Sequence, residues 1–108
     1  MNPSTTLEFM KSCAESSAAC INCAQNMRDE GCAQQCRTNA ALADCAEKLI
    51  ALNAPQAINV AQLTIESAKH CNEICCQHQN EHCQACSQAA KNLAESLTHY
   101  QTLIKGTH

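Results

Sequence analysis

Cysteine makes up 11 of the 108 residues of this chain, a fraction far above that of ordinary globular proteins. Most of these cysteines form pairs at a spacing of three or four residues: Cys20 and Cys23, Cys32 and Cys36, Cys71 and Cys75, Cys83 and Cys86. Residues at that spacing share one face of an α-helix, with Cβ atoms about 5–6 Å apart. We therefore expect each pair to present two sulfurs that can hold one soft metal ion.

Charge and hydropathy exclude several classes of function. The formal net charge is −3 and no basic cluster occurs, which argues against nucleic acid as a partner. No apolar run approaches the roughly 20 residues that a membrane span needs. The N-terminus lacks the basic start and apolar stretch of a secretory signal, so we predict a cytoplasmic protein. In that reducing compartment, cysteines serve as metal ligands or redox groups more often than as disulfides.

Few helix-breaking residues interrupt the chain, which contains two glycines and two prolines. Thr5 and Glu8 match a capping box and predict the start of a first helix. Pro55 suits the first turn of a third helix, and Asn80 can cap a fourth. Short turns between long helices predict an all-α fold, an antiparallel up-down four-helix bundle, as a single domain over residues 1–108. The predicted helices span about 6–28, 31–52, 55–78 and 81–105.

The side chains along each helix change from thiol to aliphatic. In the fourth helix, steps of three and four residues give the stripe Cys83, Cys86, Ala90, Leu93, Leu97, Tyr100 and Ile104. In an up-down bundle the first and third turns lie at the same end. Nine cysteines lie within about ten residues of these turns, in the last ~15 Å of the bundle. These nine, which we expect to line a thiol chamber, are Cys20, Cys23, Cys32, Cys36, Cys71, Cys75, Cys76, Cys83 and Cys86.

Three cysteines fit this pattern less well. Cys76 directly follows Cys75 and points about 100° away from it, towards a neighbouring helix, a partner subunit or solvent. Cys13 and Cys45 each lie about sixteen residues from the first predicted turn, so they are level on neighbouring helices. They either form an inner two-thiol site or pack as small residues. Cys45 lies roughly 100° off the cysteine stripe of its helix and is the weaker ligand.

A chamber of thiols indicates a soft metal. Thiolates select Cu(I) and zinc and also hold iron–sulfur clusters. A structural zinc site needs four ligands that converge on one point, whereas ligands along a tube favour several Cu(I) ions. A zinc or iron–sulfur module, and a structural bundle whose cysteines only pack, are the alternatives. We expect no enzyme, because no single cysteine–histidine pair with a third orienting group stands out.

Three other side chains lie near the expected mouth of the chamber. His78 and His82 flank the third turn, and Met27 follows Cys23 by four residues. Imidazole and thioether groups can hold or pass Cu(I), so these residues are candidate ligands where metal enters. Alternatively, the histidines are solvated turn residues and Met27 fills the end of the core.

The run Cys71-Asn-Glu-Ile-Cys75-Cys76-Gln-His78-Gln-Asn-Glu-His82-Cys83-Gln-Ala-Cys86 resembles the bacterial copper-storage proteins, which are cysteine-lined four-helix bundles. The resemblance extends to the four-helix layout, the Cys32-x-x-x-Cys36 start of the second helix and the break at Pro55. It implies Cu(I) storage by thiolates inside the bundle, often in a symmetric oligomer, with copper entering at the end that carries histidines. The ligands that it implies are Cys20, Cys32, Cys36, Cys71, Cys75, Cys83 and Cys86, with His78 and His82 at the mouth.

The chain also departs from that family. Relatives typically continue the cysteine stripes at positions that are here Ser17, Asn39, Ala43, Ala90, Leu93 and Leu97. We therefore expect a lower capacity and no metal at the far end. The prediction is a protein that stores or buffers several Cu(I) ions without catalysis, with copper as its partner and its protein donor or acceptor unassigned.

Overall fold

Four α-helices make up the computed structural model, which describes residues 1–106. They are α1 (Pro3–Asn26), α2 (Glu30–Ala51), α3 (Ala57–Cys75) and α4 (Glu81–Gly106). Both α1 and α3 pack against α2 and against α4, which closes the bundle. The molecule measures 45 × 19 × 18 Å. The predicted all-α up-down bundle is confirmed. Within the described part of the chain, no helix has the length and hydrophobicity that a bilayer span needs.

The start of α1 differs from the prediction. Asn2 is the N-cap, and its side-chain oxygen accepts a hydrogen bond from the backbone N–H of Thr5 at 2.9 Å. Pro3 occupies the first turn, where its fixed φ suits a helix and its missing N–H costs nothing. The capping box assigned to Thr5 and Glu8 is therefore wrong, because the Asn–Pro pair starts the helix one turn earlier.

The caps of α2 and α4 act on cysteines at the thiol end. The Asp29 carboxylate accepts a hydrogen bond from the backbone N–H of Cys32 at 2.9 Å. The Asn80 side chain does the same for Cys83 at 3.0 Å, which confirms the predicted cap. Because the backbone of Met27 is already extended, α1 ends at Asn26 rather than near residue 28. Each cap fixes the first turn that carries a thiol into the bundle.

The connections at the ends of α2 and α3 also differ from the prediction. After α2, the N–H of Asn53 donates to Ile50 O at 3.1 Å and that of Ala54 to Leu49 O at 3.0 Å. Asn53 has a φ of 52°, so these bonds form a Schellman motif with asparagine in the left-handed position. Pro55 consequently lies in the turn, and α3 begins two residues later than predicted.

The third helix also ends three residues earlier than predicted, at Cys75 rather than His78. The N–H of Gln77 donates to Ile74 O at 3.3 Å and that of His78 to Cys75 O at 3.1 Å. These bonds span three residues, so they tighten the end of the helix instead of extending it.

The core changes composition along the bundle, as the stripe of α4 predicts. Cys83, Cys86, Ala90, Leu93, Leu97 and Tyr100 are all buried, and Ile104 is half-buried. At the aliphatic end, Phe9 and Tyr100 form an edge-to-face pair with ring centroids 5.4 Å apart. Alanines occupy the middle. The large apolar side chains therefore lie at the end away from the cysteines, where hydrophobic burial contributes most to folding.

The free energy of unfolding without copper should depend on this aliphatic end. Replacing Leu97, which is fully buried, by alanine should cost about 2–5 kcal/mol because it leaves a cavity. Leu63→Ala on α3 is the control, since Leu63 is 54% exposed. Its cost should stay within about 0.5 kcal/mol. Denaturant unfolding of the apo protein measures both, and equal effects of the two variants would contradict this division of the core.

Candidate metal centre

Eight buried cysteines meet at the end of the bundle where the α1–α2 and α3–α4 turns lie. Each helix contributes two of them, and none is more than 2% exposed. We refer to this group as the thiol chamber: Cys20, Cys23, Cys32, Cys36, Cys71, Cys75, Cys83 and Cys86. The structure therefore gathers eight of the nine cysteines expected there; the exception is Cys76.

The inner part of the chamber is a set of sulfur–sulfur contacts between helices. The Sγ of Cys20 on α1 lies 3.2 Å from that of Cys86 on α4 and 3.9 Å from that of Cys71 on α3. The Cys36 sulfur on α2 lies 3.7 Å from the sulfurs of both Cys75 and Cys86. Within α3, the Cys71 and Cys75 sulfurs are 3.9 Å apart. All four helices thus contribute to one continuous cluster.

Two groups of four sulfurs have the proximity that a metal ion requires. In each group, every sulfur lies within 4.8 Å of the other three. The groups share Cys36 and Cys75, so the two central sulfurs can belong to either. They are Cys23, Cys32, Cys36 and Cys75, and Cys36, Cys71, Cys75 and Cys86.

The expectation that each cysteine pair holds one ion on its own helix stays a prediction, and most of the close sulfur contacts join different helices. Pairs spaced by four residues, on α2 and α3, do lie together within these groups. For the pairs spaced by three residues, the close contacts that the structure shows are with other helices, such as that of Cys20 with Cys86 at 3.2 Å. Likewise, the Cys23 and Cys83 sulfurs face each other across α1 and α4 at 3.6 Å. Sulfurs of different helices meet because each helix directs its buried side chains towards the common axis of the bundle.

The mouth of the chamber combines three kinds of donor atom. Cys23, His82 and Cys83 place their ligand atoms within 4.8 Å of one another. The Cys83 sulfur lies 3.6 Å from His82 Nδ1 and 3.3 Å from the Met27 Sδ. The structure therefore brings the predicted His82 and Met27 against a pair of thiols. Thiolate, imidazole and thioether together form a soft donor set suited to Cu(I).

His78 and Cys76 take other positions. His78 is half-buried; its backbone N–H donates to Cys75 O at 3.1 Å and its carbonyl accepts from the Gln84 side chain. It belongs to none of the metal-capable groups found in residues 1–106. Cys76 is exposed and its thiol donates to the Glu73 carbonyl at 3.4 Å. Its placement in the chamber is wrong, because it follows the last residue of α3 and points away from the axis.

Of the two alternatives for Cys13 and Cys45, the structure does not favour the inner two-thiol site, because only Cys13 is buried. Cys13 is fully buried, whereas Cys45 is exposed on α2, as its 100° offset from the cysteine stripe allows. Burial, together with the negative charges of Glu47 and Asp44, raises the pKa of Cys13 to about 12. Cys13 is therefore a protonated, packed thiol in the apo protein.

Hydrogen bonds divide the inner thiols into acceptors and donors. The pKa values of Cys20 and Cys75 are lowered, in both cases chiefly by a hydrogen bond from Cys36 and further by Cys71 and Cys86. The pKa values of Cys36, Cys71 and Cys86 are raised, first of all by donation to Cys20. Hydrogen bonds from three S–H groups thus favour the thiolate forms of Cys20 and Cys75 at the centre of the chamber, where a cation gains most.

Thiols nearer the mouth remain protonated at neutral pH. Burial is the main cause that raises the pKa of Cys32 to about 11 and that of Cys83 to about 12. It also raises the pKa of Cys23. A metal ion that binds here must displace these protons, so binding and proton release are coupled.

Asn39, expected only as a position where the cysteine stripe is interrupted, also belongs to the site. It is fully buried on α2, one turn further in than Cys36, and its side-chain N–H donates to the Cys20 sulfur at 3.2 Å. The sequence signal for its role is a single asparagine on a stripe of α2 that otherwise consists of cysteine and alanine. Its partner could not be identified from the sequence.

Comparison with known proteins agrees with this geometry. A family model described as copper storage protein matches residues 3–102 of the chain. Among solved structures, the Cu(I)-bound copper storage protein BsCsp3 matches with a TM-score of 0.83 and 22% sequence identity, over 88% of this chain and 96% of that one. This structural likeness shows the shared fold. No curated protein matches the chain by sequence.

Thiol accessibility provides a test of the chamber. In the folded apo protein, a thiol-reactive disulfide reagent should label two cysteines quickly, the exposed Cys45 and Cys76. The nine buried thiols should react only as the bundle opens. A Cys45→Ser, Cys76→Ser variant should lose the fast phase, and denaturation of the wild type should release all eleven. Rapid labelling of more than these two would contradict a closed chamber.

Proposed function

The chain belongs to the copper storage protein family, and on that premise we propose that it stores or buffers copper as several Cu(I) ions bound by the thiolates of the chamber. The observation that carries this proposal is the joining of eight buried sulfurs from four helices into one network. Each sulfur lies 3.2 to 3.9 Å from at least one other, and groups whose sulfurs all lie within 4.8 Å of one another connect these contacts. One ion cannot use eight such ligands, so the arrangement serves several.

The chemistry of the donors favours Cu(I) over zinc. A structural zinc site is closed by four converging ligands, and one four-sulfur group would be enough for it. Here two such groups share the sulfurs of Cys36 and Cys75, and further thiols extend the network on both sides. Cu(I) accepts soft sulfur ligands in small numbers, so bridging thiolates can hold adjacent ions. The structural relative of the same fold is described as Cu(I)-bound, which supports this choice.

We infer that copper enters at the mouth and moves inwards by ligand exchange. An ion held by Met27, His82 and Cys83 is also within reach of the Cys23 sulfur. Cys23 belongs in turn to the outer four-sulfur group, which shares its two central sulfurs with the inner group. Each step therefore replaces one soft ligand by a neighbouring one, and the ion need never be released to water.

The site residues support binding rather than catalysis. A nucleophilic cysteine needs a lowered pKa, usually from an adjacent histidine or cation. The pKa of Cys83, which contacts His82, is instead raised to about 12 by burial. That histidine also faces the Cys23 thiol, as a shared metal ligand would. We therefore propose a copper-binding protein without an enzymatic step.

The proposal includes a cytoplasmic location. All eleven cysteines are free thiols, as a reducing compartment maintains them. A symmetric oligomer, as the family resemblance implies, also belongs to the proposal. One surface available to such an oligomer is a shallow hollow on the outside of α1 and α2. It is lined by the exposed apolar side chain of Ile21, together with Ala24, Gln25 and Arg37.

Removing the two shared sulfurs should impair copper storage most. A Cys36→Ser, Cys75→Ser variant disrupts both four-sulfur groups, so an anaerobic Cu(I) titration against a chelator should show fewer ions retained per chain. The matched control is Cys45→Ser, Cys76→Ser, which changes the two exposed thiols and should leave the capacity unchanged. Circular dichroism checks that both variants remain helical.

Two outcomes of this titration would count against storage. A wild-type stoichiometry of one ion per chain would reject the proposal. Equal capacity in the wild type and the Cys36, Cys75 variant would show that the chamber thiols only pack. Metal analysis of protein from copper-supplied cells identifies the ion directly, and zinc at one equivalent would favour the zinc-module alternative.

Copper uptake should release protons. The pKa values of about 11 for Cys32 and about 12 for Cys83 mean that both are protonated at pH 7. Cu(I) displaces these protons, so loading should acidify an unbuffered solution and affinity should fall as the pH falls. A pH electrode during anaerobic loading measures the release. Uptake without proton release would contradict binding by these thiols.

A further inference from the structure

We propose that Asn39 is a positioning residue for copper, holding the Cys20 sulfur at the inner end of the thiol chamber, where Cys71 and Cys86 face it. This inference rests on the proposed function and adds one element to it, a hydrogen bond to a ligand from outside the ligand set. The Cys20 sulfur has two thiol neighbours, at 3.2 Å from Cys86 and 3.9 Å from Cys71. A third side chain against it is the Asn39 amide, at 3.2 Å.

The Asn39 amide is held on both sides. Its Nδ2 group donates to Ser16 Oγ at 3.1 Å as well as to the Cys20 sulfur. Its Oδ1 accepts from the Ser67 hydroxyl at 3.2 Å. Ser67 Oγ in turn accepts from the Gln35 side chain at 3.2 Å. A chain of hydrogen bonds therefore runs from the half-buried Gln35 to the sulfur and orients the amide N–H inwards.

This network joins three helices around one ligand. Ser16 and Cys20 lie on α1, Asn39 and Gln35 on α2, and Ser67 on α3. Rotation of the Asn39 amide would break its bonds to Ser16, Cys20 and Ser67, so its N–H stays directed at the sulfur. Hydrogen bonds that orient a metal ligand from outside are a general feature of metal sites, and their removal typically weakens metal binding.

A packing role alone does not account for an asparagine at this position. Its neighbours on the buried face of α2 are Cys36, Ala40 and Ala43, all small and apolar when buried. A buried amide costs free energy unless every polar atom is satisfied. The N–H donates to sulfur, which is a weak acceptor as a thiol and a stronger one when it carries the negative charge of a thiolate. The bond therefore gains most in the form of Cys20 that holds copper.

Thr64 provides a contrast in the same part of the core. It is fully buried and polar like Asn39, but its hydroxyl donates to backbone carbonyls, those of Val60 at 2.7 Å and Leu42 at 3.3 Å. It makes no hydrogen bond to a chamber sulfur among those found in residues 1–106. Thr64→Val is therefore a matched control, because it removes a buried hydrogen bond without touching a ligand.

The test is an anaerobic competition between a Cu(I) chelator and the copper-loaded protein. The difference between the curves of wild type and Cys20→Ala defines the copper that depends on Cys20. In Asn39→Leu, this copper should be withdrawn at about 10- to 100-fold lower chelator concentration. Ser67→Ala removes the bond to Asn39 Oδ1 and the bond from Gln35 to Ser67 Oγ but leaves Asn39 in place, so it should shift this copper in the same direction by a smaller factor. Thr64→Val should follow the wild type.

A double-mutant cycle separates positioning from a general structural role. If Asn39 acts through Cys20, Asn39→Leu should have no further effect on copper retention once Cys20 is alanine. An equal loss in both backgrounds, or no shift in either Asn39→Leu or Ser67→Ala, would overturn the inference. If Asn39→Leu does not fold, the Ser67→Ala shift and its disappearance in Cys20→Ala decide the matter. Failure of the wild type to retain several ions would instead reject the proposed function.

Discussion

Contact between sulfurs of different helices is the constraint on which this structure depends. The inner cluster exists only while α1, α2, α3 and α4 keep their axial positions and rotations, because the sulfurs of Cys20, Cys36 and Cys86 meet across the core. Cysteine is small, so the thiol end buries little apolar surface with which to hold these positions. The helices must be fixed by other means.

Two features supply that fixation. At the far end, Phe9, Leu93, Leu97 and Tyr100 fill the core with large side chains that prevent sliding of one helix past another. At the thiol end, Asp29 and Asn80 cap the turns that begin with chamber cysteines. Folding and metal chemistry are thus divided along the length of the molecule, and copper that binds only the folded chamber adds stability through linkage.

The boundary between these halves is polar. Asn39 and Ser16 lie just inside the chamber, followed by Thr64 and then by alanines and leucines. Every buried side-chain nitrogen and oxygen in the described residues has a hydrogen-bond partner. The network therefore closes the chamber without leaving a buried polar group unsatisfied. A polar layer in which some groups lacked hydrogen-bond partners would cost much free energy of folding.

The sequence by itself determined the four helices, the core stripe of α4 and the gathering of thiols at one end, because helical periodicity fixes which side chains share a face. Tertiary structure decided which sulfurs meet, that Cys45 and Cys76 face solvent, and that Asn39 supports Cys20. Capping and turn residues also placed helix ends differently from the prediction: α1 begins after the cap Asn2, and Pro55 lies in the turn before α3. Periodicity within one helix carries no information about the rotation and axial offset of its neighbours, which only packing sets.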